Sequence, residues 1–300
     1  MQDHPRTGLA FCRGCLNERR MTPRIVRTVA DLRAAIALWR TADARIGLVP
    51  TMGALHDGHL ALVRASRAAC GRTVVSIFVN PTQFGPSADF DRYPRDLDGD
   101  VAKLATAGAD LVFAPQVAEM YPPGFATAVT VARLTEGLCG PHRPGHFAGV
   151  ATVVTKLLTQ TAPDAAFFGE KDFQQLQVIR RLARDLDMPV EIVGVPTVRE
   201  PDGLAMSSRN LYLNPEERKR AATIFRVLSD AAHALASGDT AAAAIARGKA
   251  ELARAGFDPI DYLEVVDAET LKPVPRVTGT TRIAIAAWLG KTRLIDNIAV

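Results

Sequence analysis

Two histidines and two glycines follow a short apolar run and form the most specific pattern in the sequence. Residues 45–50, RIGLVP, lead into TMGALHDGH, where His56 and His59 stand three residues apart and Gly53 and Gly58 allow tight turns. The glycine spacing is that of a P-loop, but His59 and a leucine occupy the places where a P-loop needs Lys and Ser or Thr. Backbone N–H groups at the start of the next helix favour an anion. The pattern therefore predicts a phosphate site, where the imidazoles donate to phosphate oxygens or share the charge of phosphoryl or nucleotidyl transfer.

Two further segments carry neutral or cationic side chains suited to small anionic substrates. FVNPTQF supplies the amides of Asn80 and Gln83, which orient hydroxyl or carboxylate groups without adding charge. Asn80 also precedes a proline, so turn formation is an equal interpretation for it. HRPGHF supplies Arg143, whose guanidinium suits a carboxylate, a phosphate or a surface salt bridge.

Two more segments add charge and hydroxyl groups. FFGEKDFQQLQ contains Lys171, one of seven lysines in the chain, at the predicted entry to a helix. MSSRN supplies Ser207, Ser208 and Arg209 in a loop that can close on a leaving pyrophosphate. A solvated lysine at a helix start is the structural alternative for Lys171.

The elements that must position these side chains follow from the alternation of apolar runs with stretches rich in helix formers. Because the runs are apolar on both faces and separated by helices, they predict an α/β fold: a parallel sheet with helices on both faces. The loops described above then meet at the carboxyl edge of the sheet, where such folds bind ligands. The predicted strands are 45–50, 73–80, 109–115, 165–169 and 190–195, after a helix over 29–40.

The alternation of predicted strands and helices ends after residue 195. Two alanine-rich helices are predicted over 216–237 and 239–255, followed by short β segments. We therefore expect a flexible extension over residues 1–20, a catalytic domain over 21–197 and a smaller α+β domain over 198–300. Within the extension Cys12 and Cys15 form a C-x-x-C, which is half of a zinc site, a redox pair or two incidental thiols.

The composition is that of a globular protein and argues against a membrane-spanning or nucleic-acid-binding one. The chain of 300 residues is 48% apolar and 23% charged, which is typical of a globular protein, and it has no apolar run long enough to span a bilayer. The net charge of +4 suggests nucleic acid, but the basic residues are spread along the chain without a polybasic cluster. Residues 1–20 lack a signal-peptide pattern. We expect a cytoplasmic protein that binds small molecules and neither nucleic acid nor membrane.

The H-x-G-H pattern resembles the signature of the nucleotidyltransferase superfamily, which includes class I aminoacyl-tRNA synthetases and cytidylyltransferases. This resemblance implies attack at the α-phosphorus of ATP without naming the acceptor. A nucleotidyltransferase with another acceptor therefore stays open. The alternative from a different class is a basic nucleic-acid-binding protein, which would bind tRNA or DNA with strong salt dependence.

Six motifs in order closely resemble the pantothenate synthetase (pantoate:β-alanine ligase) family: PTMGALHDGH, FVNPTQF, YPRD, HRPGHF, FFGEKDFQQLQ and MSSRN. The resemblance covers about residues 21–300. It implies a condensation of (R)-pantoate with β-alanine that depends on ATP and Mg²⁺ and yields pantothenate, AMP and pyrophosphate through an enzyme-bound pantoyl adenylate. It also implies a homodimer with a Rossmann-like N-terminal domain and a smaller C-terminal lid.

The same resemblance assigns roles to individual residues but leaves the magnesium ligands open. His59 is the usual proton donor, His56 contacts phosphates, Gln83 contacts both pantoate and β-alanine, and Gln175 binds pantoate. The implied catalytic set is His56, His59, Lys171, Ser207, Ser208 and Arg209. The implied ATP-binding residues are Met52, Gly53, Ala54, Leu55, His56, Asp57, Gly58, His59, Gly169, Glu170, Lys171, Asp172, Val198, Met206, Ser207, Ser208 and Arg209.

Overall fold

A six-stranded parallel sheet forms the centre of the first part of the chain. Its strands are β1 (Arg24–Val26), β2 (Ile46–Thr51), β3 (Arg72–Ile77), β4 (Leu111–Phe113), β5 (Ala165–Gly169) and β6 (Glu191–Val195). They lie in the order β1–β4–β3–β2–β5–β6, and every neighbouring pair is parallel. Each of the five predicted runs contains a strand. The edge strand β1 was not predicted because three residues give no recognisable apolar run.

The computed structural model describes residues 22–85 and 90–300. The predicted extension over residues 1–20, with Cys12 and Cys15, lies outside the described residues. None of the helices in the described part is long and apolar enough to cross a membrane.

Helices cover both faces of the parallel sheet, which confirms the predicted fold class. The helices are α1 (Val29–Arg40), α2 (Asp57–Ala69), α3 (Leu97–Ala107), α4 (Val117–Met120), α5 (Cys139–His142), α6 (His146–Thr161) and α7 (Phe173–Asp185). Successive strand residues enter opposite cores because side chains alternate along a strand. Val74 of β3 and Phe168 of β5 pack in one core with α1, α6 and α7, whereas Val75 and Phe167 pack in the other with α2 and α3.

The second part of the chain combines three helices with an antiparallel sheet. Its elements are α8 (Pro215–Ala221), α9 (Thr223–Ala236), α10 (Ala241–Arg254), β7 (Phe257–Asp267), β8 (Thr281–Leu289) and β9 (Thr292–Ala299). The helix predicted over 216–237 is therefore two helices, α8 and α9. Ala222 between them keeps helical angles (φ −60°, ψ −18°), so the regular hydrogen bonding of the helix is interrupted there while the backbone angles stay helical.

The antiparallel sheet is apolar on both faces. Leu263 and Ile283 belong to the core formed with α9 and α10, whereas Tyr262 and Val266 belong to the same core as Phe173 of α7. One face of the second sheet therefore continues the core of the first part, and this contact brings β9 close to the loop that follows β5.

Candidate active site

A cavity opens at the carboxyl edge of the parallel sheet, where the loops after β2, β3 and β5 meet the segment after β6. This is the place at which open α/β sheets bind ligands. The predicted site residues that line it are Met52, His56, Gly58, His59, Gln83, Gly169, Lys171, Asp172, Gln175, Val198, Met206, Ser207, Ser208 and Arg209. Residues separated by more than 150 positions in the sequence are thus brought together around one cavity.

His56 and His59 form a reciprocal cap at the start of α2. Nδ1 of His56 accepts the Gly58 N–H at 3.1 Å, and Nδ1 of His59 accepts the His56 N–H at 3.3 Å. The two ring centroids are 4.1 Å apart. Because Nδ1 is the acceptor in each ring, the neutral imidazoles carry their protons on Nε2. Each histidine therefore offers one N–H donor to a ligand.

Burial sets the protonation of these two rings. Desolvation, reinforced by the Lys171 ammonium, lowers the pKa of His56 to about 4. Desolvation, the neighbouring His56 and Lys171 lower the pKa of His59 to about 3. Both rings are therefore neutral at pH 7 in the free protein. They supply hydrogen bonds, while Lys171 and Arg209 supply the positive charge.

A buried carboxylate that sequence analysis missed holds the backbone before the histidines. Asp100 of α3 is 1% exposed and accepts the N–H groups of Ala54 and Leu55, at 2.8 Å each. Gly53 adopts φ +81°, and a Cβ there would lie 3.0 Å from Asp100 Oδ2. Burial raises the pKa of Asp100, which two backbone N–H groups and Lys103 oppose. The loop is thus anchored from behind, and Gly53, Ala54 and Leu55 do not line the cavity.

One feature of the sequence indicates that Asp100 is buried and hydrogen-bonded. It lies three residues after Leu97 and four before Leu104, hence on the apolar face of α3. An acidic residue on such a face needs hydrogen-bond partners. Two other predicted ATP residues also lie off the cavity lining: Asp57 is exposed in the first turn of α2, and Glu170 pairs with Arg282 at 3.5 Å.

Asn80 closes the turn after β3 and orients Gln83. It is 1% exposed; its Oδ1 accepts the Thr82 N–H at 3.3 Å and the Tyr121 hydroxyl at 2.8 Å. Its Nδ2 donates to Gln83 Oε1 at 3.1 Å and to the Gly149 carbonyl at 3.2 Å. Asn80 therefore does form a turn, and at the same time it holds the Gln83 amide at the cavity wall.

Arg143 and His146 complete the wall beside Gln83. Arg143 Nη1 donates to Nε2 of His146 at 3.0 Å, so the histidine carries its proton on Nδ1 and donates it to the Gln83 carbonyl at 2.9 Å. Burial and the nearby Arg209 lower the pKa of Arg143 to about 10. Two neighbouring guanidinium groups make the cavity a site for anions. HRPGHF pointed to Arg143, but only the structure places it near Arg209.

We expect protonation of His146 to destabilise the protein as the pH falls from 7 to 5. Burial lowers the pKa of His146 to about 3, whereas an unfolded histidine titrates near 6.5. Between these values the unfolded chain binds the extra proton, so lowering the pH favours unfolding, by about 2 kcal/mol at pH 5 for this one group. Urea unfolding at both pH values measures the loss.

His146→Asn is the informative variant because an amide can still donate to the Gln83 carbonyl but does not titrate. Its free energy of unfolding should depend less on pH than that of the native protein. The matched control is His233→Asn at an exposed position of α9, which should keep the native pH dependence. Unchanged pH dependence in His146→Asn would contradict the prediction.

The loop after β5 places Lys171 at the cavity. A 3₁₀ turn, Glu170–Asp172, joins β5 to α7, and the Lys171 side chain is 18% exposed. Its Nζ lies 3.9 Å from Asp172 Oδ2. Among the described residues of the cavity lining, Asp172 is the one carboxylate. The charge of the lining is therefore predominantly positive.

The segment after β6 lines the cavity with Val198 and with residues 206–209. Met206 N–H donates to the Val198 carbonyl at 3.0 Å and closes a small hairpin. Ser207 Oγ then accepts the Arg209 N–H at 3.3 Å and begins a 3₁₀ turn. Ser208 Oγ lies 3.2 Å from the hydroxyl of Tyr93. Tyr93 belongs to the YPRD motif, to which no chemical role was assigned, and it lines the cavity as well.

Comparisons with known proteins agree with one another. The family model described as "Pantoate-beta-alanine ligase" matches residues 24–299. The chain is 60% identical over 276 residues to the pantothenate synthetase of Rhizorhabdus wittichii, covering 92% of this chain and 98% of that protein. It is similar to the crystal structure of pantothenate synthetase from Thermus thermophilus, with TM-score 0.87, 51% identity and coverage of 92% and 98% of the two chains.

A second solved structure carries ligands. This is the pantoate-beta-alanine ligase of Francisella tularensis, complexed with beta-gamma ATP and beta-alanine. It is similar to this chain with TM-score 0.78 and 32% identity, over 92% of this chain and 97% of the other.

Proposed function

The chain belongs to the pantoate-beta-alanine ligase family, and from that premise we propose that ATP, pantoate and β-alanine react in the cavity described above. The protein is a ligase that condenses (R)-pantoate with β-alanine at the expense of ATP and forms pantothenate, AMP and pyrophosphate through a pantoyl adenylate. The observation that carries the placement is the convergence of His56, His59, Lys171 and Arg209, from three separate loops, on one cavity.

The first step is adenylation of pantoate. A carboxylate oxygen of pantoate attacks the α-phosphorus of ATP, a P–O bond forms, and the bond to pyrophosphate breaks. Negative charge accumulates on the phosphoryl oxygens and on the leaving group. We assign His56 and His59 as neutral Nε2–H donors to these oxygens, and Lys171 and Arg209 as the charges that balance them. The hydroxyl groups of Ser207 and Ser208 add neutral donors.

Other predicted ATP-binding residues shape the nucleotide site in two ways. Met52, Gly58, Gly169, Val198 and Met206 form its wall. Four of those that lie off the lining support it: the N–H groups of Ala54 and Leu55 bind Asp100, the Gly53 N–H binds the Thr51 hydroxyl, and Glu170 pairs with Arg282.

The carboxylate substrates are bound by the amide groups and Arg143. We propose that Gln83 and Gln175 hold pantoate through its hydroxyl and carboxylate groups, and that Gln83 also contacts β-alanine. Arg143, which shares the wall with Gln83, is the cation suited to a substrate carboxylate in this position. In the second step the β-alanine amine attacks the activated carbonyl carbon, a C–N bond forms, the C–O bond to AMP breaks, and the amine loses a proton.

The side chains around the cavity fit a Mg²⁺ ion that is bound mainly by the phosphates of ATP. Within the described residues no group of three His, Cys, Asp or Glu side chains could hold a metal by itself. Mg²⁺ commonly keeps one or two protein carboxylates and takes its other ligands from substrate phosphates and water. Asp172, at the cavity wall, would be that carboxylate. Bound there, the ion would neutralise phosphate charge.

Protection of the pantoyl adenylate from water requires a cover. We propose that residues 198–300 provide it, with the Met206–Arg209 loop as the part that closes. Ser208 already meets Tyr93 across the cavity, at 3.2 Å between hydroxyl oxygens. Hydrogen exchange should show slower exchange in this loop when ATP and pantoate are bound; equal exchange with and without them would contradict closure.

Substrate dependence tests the proposed function. With ATP, Mg²⁺ and (R)-pantoate alone, we expect one pyrophosphate per active site and little AMP. Adding β-alanine should then give AMP and pantothenate in equal amounts, and chelation of Mg²⁺ should stop both phases. A panel of other acceptors, with ATP and CTP, is the control. Faster pyrophosphate release with another acceptor than with pantoate would contradict the assignment.

We also propose that the protein acts as a homodimer in the cytoplasm, where ATP is available. Residues 125–132 run along the surface outside the helices and strands, and Phe125 is 37% exposed. We place the contact with the second copy on this exposed segment. Sedimentation equilibrium should give the mass of two chains, and the mass of one would contradict it. Cell fractionation tests the location.

A further inference from the structure

The turn that carries Lys171 is held by a residue from the far end of the chain. Asn297 lies on β9, is 4% exposed, and donates from Nδ2 to the carbonyl oxygens of both Glu170 and Lys171, at 2.9 Å each. A single amide nitrogen thus binds two consecutive peptide groups. This restrains the backbone from which the lysine side chain extends.

Asn297 is itself held in place by Arg282 of β8. Arg282 Nη1 donates to Asn297 Oδ1, and its Nη2 lies 3.5 Å from Glu170 Oε2. The Arg282 guanidinium also lies over the Phe173 ring, 3.9 Å from the centroid. The antiparallel sheet therefore contacts the Lys171 turn through the backbone, through Glu170 and through the first residue of α7.

The neighbouring residue on β9 holds the other loop of the site. Asp296 is 3% exposed and binds Arg199 through two hydrogen bonds, of 2.6 and 3.0 Å. Arg199 lies in the hairpin that leads into Ser207 and Arg209. Asp296 Oδ1 also accepts the Asn297 N–H at 2.8 Å. Two consecutive residues of one strand are thus connected to both phosphate-facing loops.

We propose that Asn297 is a positioning residue for adenylation and acts through Lys171. A lysine ammonium sits on a flexible four-carbon stem, so the direction of its charge depends on how firmly the backbone is fixed. Charges that are fixed before the reaction stabilise a transition state without reorganisation. The proposal rests on the assignment of Lys171 to the phosphates.

Asn297→Asp tests this role. The substitution keeps the size of the side chain and an acceptor for Arg282, but a carboxylate has no N–H to give to the two carbonyl oxygens. We expect the rate constant for adenylate formation in single-turnover experiments to fall about 10- to 100-fold, the scale expected for a misplaced catalytic group. The KM for pantoate should stay within about twofold, since the Asn297 side chain bonds Glu170, Lys171 and Arg282 and neither of the glutamines assigned to pantoate. Asn297→Ser, which is too short to reach both carbonyls, repeats the test without the added charge.

A double-mutant cycle with Lys171→Met separates positioning from a general structural effect. If Asn297 acts through Lys171, Asn297→Asp should cause little further loss once the lysine is absent. A full additional loss in the Lys171→Met background, or native rates in both Asn297 variants, would overturn the proposal. Native rates in Lys171→Met alone would instead contradict the assignment of the lysine.

The matched control is Asn214→Asp at the N-cap of α8. The Asn214 side chain accepts the Glu217 N–H at 2.9 Å, and aspartate fills an N-cap equally well. The control should keep the native rate. Thermal unfolding of every variant shows which of them are folded under assay conditions.

Discussion

Replacement of Lys171 by methionine is expected to slow adenylate formation about 100- to 1,000-fold, the usual cost of removing one donor from a preorganised anionic transition state. Methionine keeps most of the length and apolar area of the stem and removes only the ammonium. The side chain is 18% exposed, and its described ion-pair partner, Asp172, is 3.9 Å away, so stability should change little. Rapid-quench measurement of pyrophosphate release in a single turnover gives the rate directly.

Two comparisons make the Lys171 result specific. Lys219→Met removes one positive charge at a side chain that is 73% exposed on α8, and it should keep the native rate. Lys171→Arg keeps the charge but changes its shape, and it should recover part of the loss. A rate within twofold of native for Lys171→Met would remove this residue from the catalytic set.

The second large effect is expected at His59, where two substitutions distinguish its nitrogens. Asparagine places an acceptor near the position of Nδ1, preserves the bond from the His56 N–H and lacks a donor at Nε2. Glutamine places an N–H near Nε2 and gives up the cap. If the neutral Nε2–H is what stabilises the phosphate, His59→Asn should lose about 100-fold or more in adenylation and His59→Gln clearly less.

The pH dependence tests the same point independently. With its pKa lowered to about 3, His59 is neutral from pH 5 to 9, so it should add no inflection to the rate of the free enzyme in that range. His233→Gln, at an exposed position, controls for loss of an imidazole elsewhere. Equal losses in both His59 variants, together with a rate that falls as pH rises through 6 to 7, would show that an imidazolium is required.

These expectations share one physical feature: the hydrogen-bond donors of the site and the turn that carries Lys171 are held by buried polar side chains. Asp100 binds the backbone before His56, Asn80 orients Gln83, and Asn297 binds the turn that carries Lys171. Each of the three is at most 4% exposed. The site is therefore built before substrate arrives, as electrostatic catalysis requires.

Much of this protein was predictable from its sequence. Apolar runs alternating with helix formers predicted five strands of the parallel sheet, because buried parallel strands need apolar side chains on both faces. H-x-G-H after the strand Ile46–Thr51 predicted two imidazoles at a helix start, since a strand, a glycine turn and a helix are contiguous in sequence. The six motifs together identified the family.

Tertiary structure alone decided how those residues are set for chemistry. The Nε2 protons of His56 and His59 follow from hydrogen-bond geometry, and their low pKa values follow from burial and from Lys171, which is more than a hundred positions away in sequence. Asn297 lies 126 residues from Lys171, at the far end of the chain. Local patterns record which side chains a strand or helix presents. Contacts between distant segments depend on how the two sheets pack. Local sequence patterns do not contain that packing, so these contacts could not be predicted from them.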